Sequence, residues 1–359
     1  MKLLRFDRIE ELDVPRLMGV YRESNLDNVP YFFPEEKDLE KGLRRVEERF
    51  FDHLRTVFFS TPGNRYYVLE DDGRWASAIR LYPVPERPGA CYAEALETAP
   101  DLRRMGYGRK LMELLFFSLA QDGPFELTDS VHKQNEASLA FHRSVGFEVF
   151  QENAVSALTG NVNPRSFGLR YRFEGRDRAD GLRPACLSAT YQVRFLTEAD
   201  VPAVLTLCKG NPLFYQHCPP APSEDTIRAD LAALPPRKTL ADKYFLGFFD
   251  GAELVAVLDL ITGYPKPEIA FWGFFMVEAS RQGQGSGTAL VSEACAALSA
   301  LGFRAVRLGW VRGNPQAEHF WKKNGFLETG VTYETNGYTV VLAERSLTQA
   351  HPAADGEAR

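Results

Sequence analysis

A repeated motif constrains this chain more than any other feature of its sequence. Residues 103–108 read Arg-Arg-Met-Gly-Tyr-Gly and residues 282–287 read Gln-Gly-Gln-Gly-Ser-Gly, and both fit Arg/Gln-x-x-Gly-x-Gly. The two copies stand 179 residues apart, and so do Asn135 and Asn314, each of which precedes a helical pattern ending in Gly-Phe. This constant offset predicts two copies of one fold in tandem.

The length of the chain agrees with a duplication. Its 359 residues exceed the roughly 250–300 residues at which single hydrophobic cores stop growing. We expect a first domain over residues 1–175, a polar linker over 176–189, a second domain over 190–348 and a mobile tail over 349–359.

Charge and cysteine content narrow the class of protein. A formal net charge of −6 argues against a general nucleic-acid or acidic-membrane binder. The five cysteines lie far apart without a Cys-x-x-Cys pair, which is typical of a reduced intracellular chain and predicts no metal site of that kind. The longest apolar run, Ile269–Val277, is too short to span a membrane. We expect a cytoplasmic protein, a monomer or a homodimer, with no membrane or nucleic-acid partner.

The pattern around each motif predicts a mixed α/β fold. Three β-rich runs, Tyr66–Glu70, Trp75–Tyr82 and Cys91–Thr98, precede the first glycine motif, which opens a helix near Gly108. The second half repeats the same order of strands and helices. We therefore expect two mixed sheets, each with helices on its faces.

The glycine motif predicts an anion site. A strand that turns through glycines into a helix presents free backbone N–H groups, and the helix dipole favours a negative charge there. In the first half, Arg103, Arg104 and Arg109 add positive charge. The motif is not a dinucleotide-binding fingerprint, because the first strand of the chain is not followed by a glycine turn. It is not a P-loop either, because no Gly-Lys-Ser/Thr follows it. A phosphate-bearing ligand of another type is the expectation.

Together these motifs resemble the two signature motifs of the GNAT-type N-acetyltransferases. The resemblance covers roughly residues 90–150 and 268–330, and implies two tandem GNAT-like acyl-CoA N-acyltransferase domains with acetyl-CoA as co-substrate. By this resemblance the glycine motifs hold the pyrophosphate, the preceding strands bind the pantetheine arm and the asparagines contact CoA from across a splayed strand pair. The implied cofactor-binding residues are Leu96, Thr98, Arg103, Arg104, Met105, Gly106, Tyr107, Gly108, Arg109 and Asn135 in the first half, and Phe275, Val277, Gln282, Gly283, Gln284, Gly285, Ser286, Gly287, Asn314 and Trp321 in the second.

The chain departs from the family seven residues after each asparagine, where members usually carry a tyrosine that protonates the departing thiolate. His142 and Trp321 stand there instead. An imidazolium is a chemically sensible general acid near neutral pH, so His142 is a catalytic candidate, and packing beneath CoA is the equal alternative. The indole of Trp321 does not ionise, and we expect it to stack against apolar surface.

Carboxylates before the first glycine motif are candidate general bases. Family members often use such a group to deprotonate the amine, and Glu94 and Glu97 are available. Strand alternation places these two on opposite faces, and we favour Glu94, which shares a face with Tyr92. The corresponding strand of the second half has no carboxylate, so Asp259 on the preceding strand is the fallback.

The sequence thus predicts an N-acetyltransferase that moves an acetyl group from acetyl-CoA to a primary amine by direct attack. The acceptor is a small molecule or a peptide, no metal is required, and the first half is the favoured catalytic site. The alternatives are that one half is a degenerate CoA-binding module or a structural or sensory one, or that the enzyme uses a longer acyl-CoA.

Overall fold

The computed structural model describes residues 1–175, 182–335 and 337–347. The chain divides into two compact units, Met1–Arg176 with Ala232–Ala241, and Asp177–Leu231 with Asp242–Arg359. The first six residues of the expected linker and the whole of the expected tail, 349–359, lie outside the described residues.

The first half contains all three β-rich runs that the sequence predicts before its glycine motif. Its helices begin where the sequence offers a cap, and Asp13, for example, accepts a hydrogen bond from the backbone N–H of Arg16 at 3.1 Å. In chain order the elements are β1 (Lys2–Phe6), α1 (Val14–Asp27), α2 (Val29–Phe32), α3 (Leu39–His53), β2 (Arg65–Asp71), β3 (Arg74–Pro83), β4 (Ala90–Thr98), α4 (Tyr107–Ala120), β5 (Phe125–His132), α5 (Glu136–Ser144), β6 (Glu148–Gln151), β7 (Ala154–Val155), β8 (Val162–Asn163) and β9 (Ser166–Phe173).

The second half repeats this order, apart from the small β7–β8 hairpin. Its elements are β10 (Gln192–Phe195), α6 (Val201–Lys209), α7 (Pro212–His217), α8 (Glu224–Ala232), β11 (Lys243–Asp250), β12 (Glu253–Thr262), β13 (Ile269–Val277), α9 (Ser286–Ala300), β14 (Ala305–Val311), α10 (Pro315–Lys323), β15 (Leu327–Thr335) and β16 (Tyr338–Ser346).

Each half is built on a mixed sheet of seven strands. The strand orders are β1-β2-β3-β4-β5-β9-β6 and β10-β11-β12-β13-β14-β16-β15. Neighbouring strands are antiparallel except at β4–β5 and β13–β14, which are parallel. The two sheets therefore share one topology, as the repeat predicts, and each has one parallel pair in its interior.

Both faces of the sheets are covered. The four consecutive residues from Tyr66 to Leu69 in β2 are all buried. The six consecutive residues from Tyr244 to Phe249 in β11 are buried as well. Because successive side chains of a strand point to opposite faces, continuous burial means that helices or loops cover both sides. The mixed α/β architecture with helices on the faces is confirmed.

Candidate active site

Each sheet opens into a wedge at its parallel pair. β4 pairs with β5 only at Ala90, Cys91 and Tyr92, and then continues to Thr98 with β3 as its remaining neighbour. In the second half β13 pairs with β14 over four residues, ending at Trp272, and continues to Val277. The implied pantetheine-binding residues all lie on these unpaired strand ends: Leu96, Thr98, Phe275 and Val277.

A glycine loop and a helix N-terminus follow each unpaired strand end. Gly106 and Gly285 precede the first residues of α4 and α9 with φ of 90° and 87°, in the left-handed region that glycine adopts at little cost. Neither helix has a side-chain cap, so the first N–H groups of the helix remain available to an anion. A Cβ on either glycine would meet nothing within 4 Å, which shows that these glycines serve the backbone turn.

The three arginines around the first glycine motif have different environments. Arg103 is paired with Glu23 at 2.7 Å and lies 3.5 Å from a carboxylate oxygen of Glu97, and Arg109 donates to the hydroxyl of Ser144 at 2.9 Å. Arg104 is exposed and makes no hydrogen bond or ion pair with the described residues. Arg104 is therefore the cation of this loop that is least committed to protein partners.

The remaining residues of the glycine motif fall into two groups. Met105 is exposed, and the hydroxyl of Tyr107 donates to Asp71 at 2.8 Å. Gly108 packs closely, because a Cβ there would lie 3.2 Å from the hydroxyl of Thr98. The corresponding Cβ on Gly287 would lie 3.2 Å from the ring of Phe320, so both third glycines allow the helix to approach its strand.

A cavity of about 410 Å³ occupies the wedge of the second half. It joins the glycine loop, the unpaired end of β13 and the start of α10, and it contains most of the residues that the sequence assigns to the second cofactor site. Its lining is Asn211, Phe214, Phe275, Met276, Val277, Gln282, Gly283, Gly285, Gly287, Thr288, Asn314, Gln316, Ala317, His319, Phe320, Trp321 and Lys323. Gln284 in the loop and Ser286 at the start of α9 do not line the cavity.

Polar side chains fix the edges of this cavity. The amide nitrogen of Gln282 donates to the carbonyl of Val277 at 2.9 Å and to Asn211 at 2.6 Å, which ties the glycine loop to the end of β13. Asn314 caps α10 by accepting from the backbone N–H of Ala317 at 3.1 Å, and Asn135 caps α5 in the same way. The repeated asparagine is thus a helix cap in both halves.

His142 is buried, with 4% of its surface exposed. Its Nδ1 lies 2.8 Å from the carbonyl oxygen of Ser138, and its Nε2 lies 3.0 Å from Oδ2 of Asp129. Burial alone would lower the pKa of this imidazole, but the hydrogen bond and charge of Asp129, together with the Ser138 carbonyl, outweigh it and raise the pKa. Both ring nitrogens therefore have partners within the protein. Because both partners are acceptors, they favour the doubly protonated form of the ring.

Glu94 and Glu97 lie on the same face of β4, and the expectation that they lie on opposite faces is wrong. Glu94 stands opposite Arg80 and Glu97 opposite Ala78, so three steps along β4 match two steps along β3. The additional residue forms a β-bulge at Ala95, whose φ is 57°. Simple alternation fails here because the bulge shifts the phase of the strand by one residue.

The two carboxylates have different surroundings. Burial raises the pKa of Glu97, against the opposing charge of Arg103. Glu94 accepts from the hydroxyl of Tyr82 at 2.9 Å and pairs with Arg80 at 3.0 Å. These two partners hold one oxygen of Glu94 beside the bulge.

Arg80 also lines a cavity of about 660 Å³ in the first half. This cavity lies between α1, α2 and α3 and has mixed polar, charged and aromatic walls. The lining comprises Asn25, Asn28, Phe32, Phe33, Arg45, Val46, Glu48, Arg49, Phe50, Asp52, His53, Thr56, Val57 and Arg80. It is the space next to Glu94 that could receive an acceptor.

In the second half an aromatic cluster replaces the buried histidine. Trp321 is buried, with ring centroids 5.1 Å from Phe326, 5.7 Å from Phe275 and 6.1 Å from Trp272. It therefore packs against apolar rings at the back of the cavity. The fallback carboxylate of this half, Asp259, forms an ion pair of 2.8 Å with Lys243.

Two searches of the described ranges bear on other classes of protein. None of their helices combines the length and the apolar character that crossing a bilayer requires. Within the same ranges no three His, Cys, Asp or Glu side chains come together as a metal site would require.

Comparison with known proteins shows the family of this chain. The sequence profile of the Acetyltransferase (GNAT) family matches residues 25–147 and 212–326, which together exceed half of the chain. The chain belongs to the GNAT family. It is therefore an acyltransferase, and the two separate matches identify it as a tandem GNAT protein whose family uses acetyl-CoA.

One relative of this GNAT protein has an acceptor in its name. It is 32% identical over 108 residues to the ribosomal protein bS18-alanine N-acetyltransferase of Salmonella typhimurium, which covers 29% of this chain and 70% of the relative. Among solved structures, an acetyltransferase from Thermus thermophilus matches with 23% identity and a TM-score of 0.37, over 44% of this chain and 97% of that one. The PaiA N-acetyltransferase of Thermoplasma acidophilum, in complex with coenzyme A, matches with 18% identity and a TM-score of 0.33, over 43% and 97%.

Sequence reasoning missed the partners of the candidate catalytic groups in this GNAT chain. The local sequence pattern does not indicate that Asp129 contacts His142, that Arg80 contacts Glu94 or that Lys243 contacts Asp259. The contact between His142 and Asp129 could have been inferred from the 179-residue offset, because His142 aligns with Trp321 and Asp129 aligns with Leu308. Two polar residues that are both replaced by apolar ones suggest contact.

Proposed function

We propose that this GNAT protein transfers the acetyl group of acetyl-CoA to a primary amine, and that the first half is a catalytic centre. The observation that carries the proposal is the position of Glu94, beside the β4 bulge at the wedge and joined through Arg80 to the cavity of about 660 Å³. A cofactor in the wedge and an amine in this cavity would meet at Glu94.

The residues present suit acetyl-CoA. The glycine loops and uncapped helices offer backbone N–H groups to its pyrophosphate, and Arg104 adds an uncommitted positive charge in the first half. The unpaired ends of β4 and β13 offer backbone groups to an extended arm. Bound acetyl-CoA would supply the activated acetyl thioester.

The side chains around the first wedge divide the remaining work. Glu94 accepts the proton that the amine loses as it attacks, directly or through one water, and Tyr82 with Arg80 fixes its orientation. Backbone N–H groups at the bulge, where β4 lacks a register partner, stabilise the charge that develops on the acetyl oxygen. The role of His142 as proton donor to the leaving thiolate stays a prediction.

Two classes of acceptor fit this function, a peptide or protein amine and a small amine. The relative that is named for acetylating an alanine of a ribosomal protein favours a peptide or protein acceptor, whereas a cavity with polar, charged and aromatic walls favours a small amine. A panel of both classes, with release of free thiol as the readout, tests the proposal. Glu94→Gln should lower the first half's transfer by about 100-fold without weakening acetyl-CoA binding. A chain that binds acetyl-CoA and acetylates nothing in the panel would contradict the proposal.

The alternative, one catalytic and one degenerate half, is decided by counting sites. Gly108→Glu and Gly287→Glu each insert a side chain where the first turn of the helix approaches its strand, which displaces the helix N-terminus that would hold the pyrophosphate and adds a negative charge beside it. Calorimetry with acetyl-CoA should find two sites per wild-type chain and one in each variant. A single wild-type site that only one substitution removes would identify the other half as a structural module.

A further inference from the structure

The second half contains a buried ion pair that the cofactor site does not explain. Lys243 is 1% exposed and its Nζ lies 2.8 Å from Oδ1 of Asp259. The other carboxylate oxygen, Oδ2, has no hydrogen-bond partner among the described residues and is not fully shielded from solvent. Burying a charge pair is costly, and a carboxylate held by one oxygen alone gains only part of the compensation available to it. Oδ1 of Asp259 is thus held by Lys243, whereas Oδ2 remains available to accept a proton.

A glycine makes room for this free oxygen. Asp259 stands opposite Phe274 and Leu260 opposite Trp272, so Gly273 is the additional residue of a bulge in β13. A Cβ on Gly273 would lie 2.7 Å from Oδ2 of Asp259, closer than side chains tolerate. Because φ at Gly273 is ordinary, the need for glycine here is steric.

The two halves thus place a carboxylate beside the bulge from different strands. At the offset of 179 residues, Gly273 aligns with Glu94 and Asp259 aligns with Arg80. In the first half the cation lies on β3 and the carboxylate on β4. In the second half the carboxylate lies on the strand equivalent to β3, and the residue equivalent to Glu94 has lost its side chain. The acidic group keeps its place in the fold although a different residue supplies it.

Aromatic rings connect this carboxylate to the cofactor cavity. Phe274, the register partner of Asp259, packs edge-on against Phe214 at 5.6 Å, and Phe214 lines the cavity. Met276, two residues further along the same face of β13, also lines it. An acceptor that approaches Asp259 along this face therefore meets apolar and aromatic walls, in contrast to the charged cavity of the first half.

We propose that the second half is a second acetyl-transfer centre in which Asp259 is the general base, and that its acceptor is a primary amine attached to an apolar group. The proposal rests on the proposed function and extends it to a second site. The amine nitrogen forms a bond to the acetyl carbonyl carbon, the carbon–sulfur bond breaks, one proton passes from the nitrogen to Oδ2 of Asp259, and the CoA thiolate takes a proton from solvent.

Lys243 is a positioning residue in this arrangement. Its ammonium fixes Oδ1 and leaves Oδ2 directed at the bulge. Burial raises the pKa of Asp259 despite the opposing charge of Lys243, which is the charged group facing it. A carboxylate with a raised pKa is a better proton acceptor near neutral pH.

The full-length chain with Gly108→Glu isolates the second centre. We expect this variant to bind one acetyl-CoA by calorimetry and to acetylate phenethylamine and tryptamine in preference to glycine and putrescine. Adding Asp259→Asn, whose amide oxygen can still accept from Lys243, should lower kcat/KM for phenethylamine by about 100-fold. The acetyl-CoA Kd should stay within about twofold, and the acid limb of the pH–rate profile should disappear.

Three outcomes would overturn the proposal. The first is a Gly108→Glu chain that binds acetyl-CoA but acetylates neither arylalkylamine, and if wild type is active the proposed function of the first half still stands. The second is an Asp259→Asn variant with unchanged kcat/KM and an intact acid limb. The third is a preference for glycine or putrescine. If melting shows that Asp259→Asn is unfolded, Lys243→Met with Asp259→Asn removes both charges and makes the same comparison.

Discussion

His142 and Asp129 form a buried pair in the first half, with Nε2 of the imidazole 3.0 Å from Oδ2 of the carboxylate. The equivalent positions of the second half, Trp321 and Leu308, are both apolar and both buried. The two halves therefore fill the same place in the fold in two ways, one with a hydrogen-bonded polar pair and one with apolar packing. Both polar members of the pair are thus absent from the second half.

The raised pKa of His142 makes the stability of the first half depend on pH. A histidine whose pKa is raised by folding contributes stability below its unfolded pKa of about 6.5, and that contribution is lost as pH rises through the folded pKa. Asp129→Asn removes the carboxylate and should lower the free energy of unfolding by about 1–3 kcal/mol near pH 6. Chemical denaturation of both proteins across this range should show the difference shrinking as pH rises.

An exposed ion pair provides the control for this experiment. Arg74 and Asp101 lie 2.6 Å apart, and both side chains are more than half exposed. Asp101→Asn should leave the free energy of unfolding nearly unchanged, with no trend across the pH range in which His142 titrates, because exposed ion pairs contribute little. A difference for Asp129→Asn that stayed constant with pH would show that His142 is neutral in the fold.

The same contacts decide what His142 does in catalysis. Both nitrogens have partners within the protein, so His142→Gln should lower kcat of the first half by less than about tenfold, compared with the roughly 100-fold or more expected of a general acid. Steady-state rates in a Gly287→Glu background isolate the first half. Loss of the basic limb of the pH–rate profile in His142→Gln would instead establish the proton-donor role.

Glu97 should destabilise the fold at neutral pH. Burial raises its pKa, and a group with a raised folded pKa contributes less stability as pH rises from its unfolded pKa through the folded one. Glu97→Gln should therefore leave stability unchanged near pH 4 and raise it at pH 7. Thermal melting at the two pH values measures this, and a variant that is less stable at pH 7 would show that the ion pair with Arg103 dominates.

Arg104 carries a backbone cost that its equivalent in the second half avoids. Its φ is 64°, whereas Gly283, at the same place in the repeat, has a φ of 73°. Arg104→Gly should raise the free energy of unfolding by up to about 1 kcal/mol, since left-handed backbone disfavours side chains. The reverse change, Gly283→Arg, should lower it by a similar amount.

The same substitution should weaken the cofactor site. Removing the exposed cation should reduce acetyl-CoA affinity of the first half by up to about fivefold at low salt, and less at high salt. Opposite effects on stability and on affinity would identify Arg104 as a residue retained for binding. Unchanged affinity at low salt would contradict that role.

Regular features of the fold were predictable from sequence. The strands around Tyr66, Trp75 and Cys91, the helix after each glycine motif and the helix after each asparagine follow from local patterns that occur twice. The glycine loops were predictable for the same reason, because a left-handed backbone at Gly106 and Gly285 restricts the residue type. Each of these signals depends on neighbours in the chain.

The catalytic environment was not predictable, because it depends on contacts between distant segments. The β-bulge at Ala95 has no local sequence signal, and it moved Glu94 and Glu97 to the same face. The pairing of Lys243 with Asp259 joins adjacent strands whose register is set by the whole sheet. A strand pattern gives the direction of a side chain only while the strand remains regular.

The wedge in each sheet has a consequence for the protein without its cofactor. An ordinary open sheet has two edge strands. A sheet whose central strands diverge has a third exposed edge in its interior, where the end of β4 or β13 has no partner on one side. Unpaired strand edges can accept a strand from another chain, which makes them starting points for aggregation. Acetyl-CoA, if it fills this gap, would protect the interior edge, so cofactor supply would influence how long the folded protein survives as well as how fast it works.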